Sequence, residues 1–439
     1  MSAESSLLLT MYRVLTTSCG VIIYGYLAWR LWHGKEELTR LGERLGQPGQ
    51  LRPPGPLLWL HAASVGESLS VLPLIDKILR RQSFFSVLMT TGSVSSALLV
   101  TERLPTRAYH QYMPMDRAVF LRRFLDYWRP TLVLWTESEF WPNAILEIRR
   151  RAVPLVLVNG RISEHSFRRW QKWPQGIGPM LAAFDLCLGQ TLQDCDRLSV
   201  LGATRTDYVG NLKFAAPPLP ADTEALARMQ RQLAGRPVWL AASTHAGEES
   251  AAGRIHQKLI TYHPRLLTIV APRHPSRGTA IAAELAATGL QVTRRSVGES
   301  VPSVSGVYLV DTIGELGLFF RVAPVVFMGK SLFGSGGQNP LEPARLGCAI
   351  LFGPHMDNFA DIAARMVAAG TARTVSDEVH LGAEVETLLA DRRTRATMGV
   401  AGKTFANTEA GVIQRLIERL TPYLDLGAIR PESGRAKNP

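Results

Sequence analysis

Cysteine is scarce: four in 439 residues, at positions 19, 187, 195 and 348, with no CxxC pair. That excludes a disulfide framework and a zinc finger and suits a reducing compartment. Charged residues are only 20% of the chain, which excludes a disordered, acidic or coiled-coil protein. Acidic residues fall short of basic ones, 37 against 49, leaving a net charge of +12 and a pI near 9.8. Such a surface suits anionic partners: nucleic acid, acidic lipid, or phosphorylated and carboxylated substrates. No RNA-binding or helix-turn-helix signature accompanies the charge, so nothing else supports a nucleic-acid role. GxxxxGK[ST], HExxH and dense metal-ligand clusters are absent, which excludes a P-loop and gives no indication of a metal.

What is present is enough apolar content, 46%, for two or three cores. One uncharged stretch, VLTTSCGVIIYGYLAW at 14–29, is borderline for a spanning helix. No basic region precedes it and no small-residue cleavage site follows, which argues against a signal peptide. Arg30, Lys35, Arg40 and Arg44 follow it, and Trp29 and Trp32 suit an interfacial belt. The expectation is a membrane anchor over 1–34, spanning or lying in the interface, with the rest of the chain cytoplasmic. A buried core helix is the alternative.

After GQPGQLRPPGP (46–56), short apolar runs alternate with helical patterns. Strands are expected at 57–64, 84–91, 131–137, 153–160, 184–190 and 206–214, then at 238–244, 265–273, 306–311, 324–329 and 349–353. Helices between strands imply parallel βαβ units. AAPPLPADTE (215–224) reads as a linker between two α/β halves of similar size. Two such halves are expected to face each other across a cleft, with chemistry in the loops that follow the strands.

Those loops are informative. HAASVGE (61–67) places Glu67 just ahead of a helix, either as a proton acceptor or as an ordinary first-turn acid. TESEFWPN (136–143) offers Glu137 and Glu139 beside Phe140 and Trp141. Lys213, in GNLKF (210–214), is either a phosphate or carboxylate partner or a solvated lysine. APRHPSR (271–277) places Arg273, His274 and Arg277 after a strand, as an anion site would. DTIGELG (311–317) turns at Gly314 with Glu315 in the first helical turn. MGKSLFGSGGQNPLEPARLG (328–347) runs from a strand through a glycine-rich loop into a helix near Asn339–Pro340 that carries Glu342. Asn339 suits a cap or a ligand contact, and Glu342 suits paired ribose hydroxyls. The spacing is not GxGxxG.

Together with NGRIS (159–163), STHAGEE (243–249) and GPHMDNF (353–359), these motifs resemble the bacterial 3-deoxy-D-manno-octulosonic acid (Kdo) transferases of lipid A assembly, over nearly the whole chain. The resemblance implies a GT-B fold: two Rossmann-like parallel-sheet domains facing a central cleft, plus the anchor helix. It implies inverting transfer of Kdo from CMP-Kdo to the tetraacylated lipid A precursor (lipid IVA) at the inner membrane, without a metal. By motif, Glu67 becomes the general base, and Glu137 and Lys213 become transition-state stabilisers. CMP contacts fall on Pro272 and Arg273, on Ile313, Gly314 and Glu315, and on Asn339, Pro340, Leu341 and Glu342. The domains become an anchor (1–34), an acceptor-side domain (35–214), a linker (215–235), a CMP-sugar domain (236–425) and a polar tail (426–439). The family commonly has Gly-Gly-Ser where this chain has Gly329-Lys330-Ser331, so Lys330 is a candidate extra anion contact. A UDP-sugar transferase of the same fold, a sugar-nucleotide epimerase and a tethered binding protein are the alternatives.

Overall fold

The computed structural model describes residues 6–215, 217–233 and 235–429, so most of the expected tail lies outside the described residues. The chain divides into two compact units. One holds the N-terminal part to residue 216 together with residues from 410 onward; the other holds 217–409.

Seven parallel strands build the first sheet: β1 (Leu57–His61), β2 (Ser86–Thr91), β3 (Ala108–Tyr112), β4 (Leu132–Thr136), β5 (Leu155–Gly160), β6 (Leu186–Gly189) and β7 (Thr206–Tyr208). Their order is β3-β2-β1-β4-β5-β6-β7. Apolar residues run continuously through the central strands because both faces are covered. Successive side chains alternate between faces. Trp59, Val133 and Trp135 meet Phe124, Trp128 and Ile145 on one side. Leu58, Leu60, Leu134 and Val156 meet Val71, Ile75 and the C-terminal residues Val412, Leu416 and Leu420 on the other.

The second sheet holds β8 (Val238–Thr244), β9 (Leu267–Pro272), β10 (Val292–Arg294), β11 (Gly306–Leu309), β12 (Val325–Met328), β13 (Ala349–Phe352) and β14 (Ala372–Thr374). It is also parallel, in the order β10-β11-β9-β8-β12-β13-β14. Chain direction through the sheet reverses between β1 and β4 in the first unit and between β8 and β12 in the second. Open parallel sheets bind ligands at such points, beyond the strands' carboxyl ends.

Four expectations need correction. The segment 215–235 is not an extended linker, since it contains the helix Thr223–Gln232, packed within the second unit. Residues 410–425 belong to the first unit, where the helix Val412–Ile429 lies against the sheet. The strand expected through 214 stops at Tyr208, and Lys213 sits in the 3-10 turn Leu212–Ala215. The N-terminal anchor helix is two helices, Leu7–Ser18 and Gly20–Trp32, bent by 67°. No single described helix is long and apolar enough to cross a membrane.

The first of those two helices is docked on its unit by polar contacts. Tyr12 donates to Asp116 (2.9 Å), Arg13 pairs with buried Glu147 (2.7 Å), and Asn143 donates to Thr16 (3.0 Å). Burial pushes the Asp116 carboxyl up to about 6, although the Asn143 and Ala144 amides donate to it. The second helix exposes Val21, Ile22, Tyr24, Trp29 and Trp32.

Candidate functional site

In the first unit the chemistry gathers where β1 and β4 end. Ser64 caps the helix Val65–Arg81 by accepting from the Glu67 amide. The Glu67 carboxylate returns the contact in a capping box, accepting from the Ala63 amide (3.0 Å) and the Ser64 hydroxyl (2.8 Å). Thr136, the last residue of β4, brings its hydroxyl within 3.2 Å of the same carboxylate and 2.8 Å of the His61 carbonyl. Its one proton serves one of them. A carboxylate has about four acceptor positions, so at least one on Glu67 stays open for a substrate hydroxyl. The capping and proton-accepting readings of Glu67 are therefore compatible.

Next to it, Glu137 pairs with Lys213 at 2.8 Å, so the structure brings all three expected residues of this unit together. Asn159 and Gln190 were not among the expected site residues, yet they hold this arrangement. Asn159, the last residue but one of β5, accepts from the Leu212 amide (2.9 Å). Gln190 donates to the Asn159 carbonyl (3.0 Å) and accepts from Asn211 (2.9 Å), which in turn accepts from the Lys213 amide (2.9 Å). Buried polar residues that position loops look like any other Asn or Gln in a sequence. The signal that was available is their place, immediately at strand ends.

Glu137 and Asn159 have φ of +54° and +59°, and Ser243 and Lys330 in the second unit have +54° and +58°. Such left-handed backbone costs a non-glycine residue about 1–2 kcal/mol. All four lie at carboxyl ends of central strands, where held strain points to function. The other three such residues, Arg107, Arg129 and Ala152, precede strands.

In the second unit β8 leads into the helix Glu248–Leu259. The buried Glu248 carboxylate accepts from the amides of His245, Lys330, Ser331 and Leu332 at 2.7–3.1 Å, tying the loop after β12 to the loop after β8. Glu249 holds Arg277 (2.8 Å) and accepts from Thr244 (3.1 Å). These glutamates fix loops, which the motif STHAGEE alone did not reveal. The glycine-rich loop is clamped by the segment after β13. Gly336 donates to Asp357 (3.0 Å), Asn358 donates to the Gly336 carbonyl (2.9 Å), and Gly353 donates to Ser331 (2.8 Å).

Pro272 ends β9, and Arg273 follows it, exposed and with no ion-pair partner among the described residues. Gly314 turns with φ +86°, and Ile313 is largely exposed. Glu315 is the N-cap of the helix Leu316–Val322, not a first-turn residue. Its pairing with Arg295 (2.6 Å) holds its carboxyl below the usual range. Asn339 accepts from the Leu341 amide (3.1 Å), so Pro340 opens the helix Leu341–Leu346 with Glu342 in its first turn. Burial pushes the Glu342 carboxyl up, against opposing pulls from Asn339, Arg345 and Arg273. His245 is pushed down by burial, and its ring lies 5.7 Å from that of His274. Lys330 forms no ion pair among the described residues. This unit therefore gathers Arg273, His245, His274 and Lys330 at strand ends, with carboxylates that could accept from ribose hydroxyls. No group of three His, Cys, Asp or Glu suited to a metal occurs among the described residues.

Two α/β units of this kind, each a parallel sheet with polar loops beyond its switch point, define a GT-B-type fold. The fold is shared by UDP-GlcNAc 2-epimerase from Neisseria meningitidis, at TM-score 0.57 and 15% identity, covering 84% of this chain and 100% of that one. Residues 39–216 match the family described as 3-deoxy-D-manno-octulosonic-acid transferase (kdotransferase). The chain is 34% identical to a probable mitochondrial 3-deoxy-D-manno-octulosonic acid transferase of Arabidopsis thaliana, over 96% of this chain and 97% of that one. It is 33% identical to the 3-deoxy-D-manno-octulosonic acid transferase of Rickettsia bellii, over 90% and 93%. The chain belongs to the 3-deoxy-D-manno-octulosonic acid transferases and is a glycosyltransferase.

Proposed function

We propose that this transferase moves Kdo from CMP-Kdo to a hydroxyl of the tetraacylated lipid A precursor with inversion at the anomeric carbon. The carrying observation is the Glu67 carboxylate, fixed by Ala63, Ser64 and Thr136 beside the Glu137–Lys213 pair. Glu67 takes the acceptor hydroxyl's proton as its oxygen bonds to the anomeric carbon. The bond from that carbon to the CMP phosphate breaks, and CMP leaves with the electron pair. Lys213, oriented by Glu137, stabilises negative charge on the sugar carboxylate or the leaving phosphate. Arg273 binds the phosphate, with the Pro272 backbone beside it. Ile313 to Glu315 and Asn339 to Glu342 hold the nucleoside, Glu342 accepting from ribose hydroxyls. One phosphate needs few donors, so the reading includes no metal.

The exposed apolar helix Gly20–Trp32 and the +12 net charge support attachment to an anionic leaflet, the cytoplasmic face of the inner membrane. The test combines purified enzyme, CMP-Kdo generated in situ and dispersed tetraacylated precursor, with lipid products read by mass spectrometry. Lipid heavier by one or more Kdo units, and none with Glu67→Ala, is the expected result. An unshifted lipid with the wild type overturns the proposal.

A further inference from the structure

The first unit contains a cavity of about 420 Å³ that no part of the proposed chemistry uses. That is within the about 300–1,000 Å³ of small-molecule sites. Its walls are mostly apolar and include Leu8, Leu9, Phe140, Trp141, Trp173 and Met180. Three features of these walls identify an occupant. First, Phe140 and Trp141 belong to the loop that follows Glu137, so whatever fills the cavity lies against the acid loop. Second, Leu8 and Leu9 belong to the docked helix Leu7–Ser18, which leads into the exposed apolar helix Gly20–Trp32. The cavity therefore adjoins the part of the unit built to meet an apolar phase. Third, Arg169 lines the cavity, and Lys172 is exposed three residues on. Neither has an ion-pair partner among the described residues. Apolar depth with the Arg169 cation in its wall complements a molecule that is both acylated and phosphorylated.

We infer that this cavity takes one acyl chain of the lipid acceptor, with Arg169 pairing with a lipid phosphate. The inference rests on the proposed lipid acceptor and adds where that acceptor is gripped. Binding a chain here holds the sugar end of the lipid close to the Glu137 loop, so apolar binding energy is used to position the reacting hydroxyl.

Gly176 gives the test. It lines the cavity from the helix Pro174–Leu181, and a Cβ built on it meets only Trp170 Cζ3, at 3.5 Å. Gly176→Leu fills the space with a better helix former, so the fold is kept. Trp173→Ala removes an exposed wall. KM is measured for the tetraacylated acceptor and, as substrate or competitive inhibitor, for the same phosphorylated disaccharide without acyl chains. Both variants are expected to raise KM for the acylated acceptor about tenfold or more. KM for the donor and binding of the acyl-free disaccharide should stay within about twofold of wild type. An unchanged KM for the acylated acceptor overturns the inference. An equal loss with the acyl-free disaccharide does so too, because it locates the effect in the headgroup site. Failure of the wild type to transfer to the lipid would instead strike the proposed acceptor, so the two failures are distinguishable.

Discussion

Glu67 serves both the helix it starts and the reaction proposed for it, and the two duties separate under substitution. Glu67→Gln keeps a carbonyl for the Ala63 amide and loses the proton acceptor. Transfer should fall about 10²–10⁴-fold, read in the lipid assay, with a melting temperature close to wild type. Lys213→Met removes a charge aimed at the transition state and should cost about 10²-fold in kcat, measured at saturating donor. Lys330 is a different case. Its φ of +58° is a conformation that glycine adopts freely, which gives the family's usual glycine there a physical reason. Lys330→Gly should raise the urea-unfolding free energy by about 0.5–1 kcal/mol. If Lys330 contacts the donor, KM for CMP-Kdo should rise more than twofold in Lys330→Ala. At this scale the site's acids and cations were legible because they crowd the residues just after apolar runs. Asn159, Gln190 and Glu248 were not, because their work is to satisfy loop backbone, and that is a property of three-dimensional neighbours.

Among elements, the docked helix Leu7–Ser18 carries the most testable electrostatics. Asp116 has a folded pKa near 6, above its ordinary 3.8, so its ionised form opposes folding. That cost is absent below pH 3.8, grows through the window to pH 6 and is complete above it. Wild-type unfolding free energy, relative to Asp116→Asn, should therefore fall with rising pH across that window, by up to about 3 kcal/mol. Glu147 faces Arg13, Arg122, Arg150 and Arg151 within 2.7–3.2 Å, and Glu147→Ala would leave those cations around an empty centre. Eleven strands were legible as apolar runs, and the described residues form fourteen. The unread ones, β3, β10 and β14, are all at or beside sheet edges. Two have three residues each, and β3 is mostly polar (AYHQY), so none carries a run long enough to read. The break at Cys19 was hidden because both halves of the bent pair are apolar.

For the molecule as a whole, two α/β halves were legible from the order of strands and helices, but the ownership of the last helix was not. Its apolar stripe would suit either sheet, and only packing assigns it. Val412, Leu416, Ile417, Leu420 and Leu424 are completely buried within the first unit. At about 1.5–3 kcal/mol each, they bury on the order of 10 kcal/mol of apolar stabilisation as an upper estimate. That equals the typical net stability of a domain, about 5–15 kcal/mol. A fragment of residues 217–409 should therefore melt cooperatively alone. A fragment of 1–216 should do so only when 410–429 is supplied, as scanning calorimetry would show. The same helix also sets an order of events on the ribosome. The unit begun first lacks this layer until residues 412–429 have been made. Synthesis of the intervening unit takes about 10–40 s at ~5–20 residues per second. During that interval the later unit completes itself while the earlier one waits with an open apolar groove, a natural landing place for a chaperone.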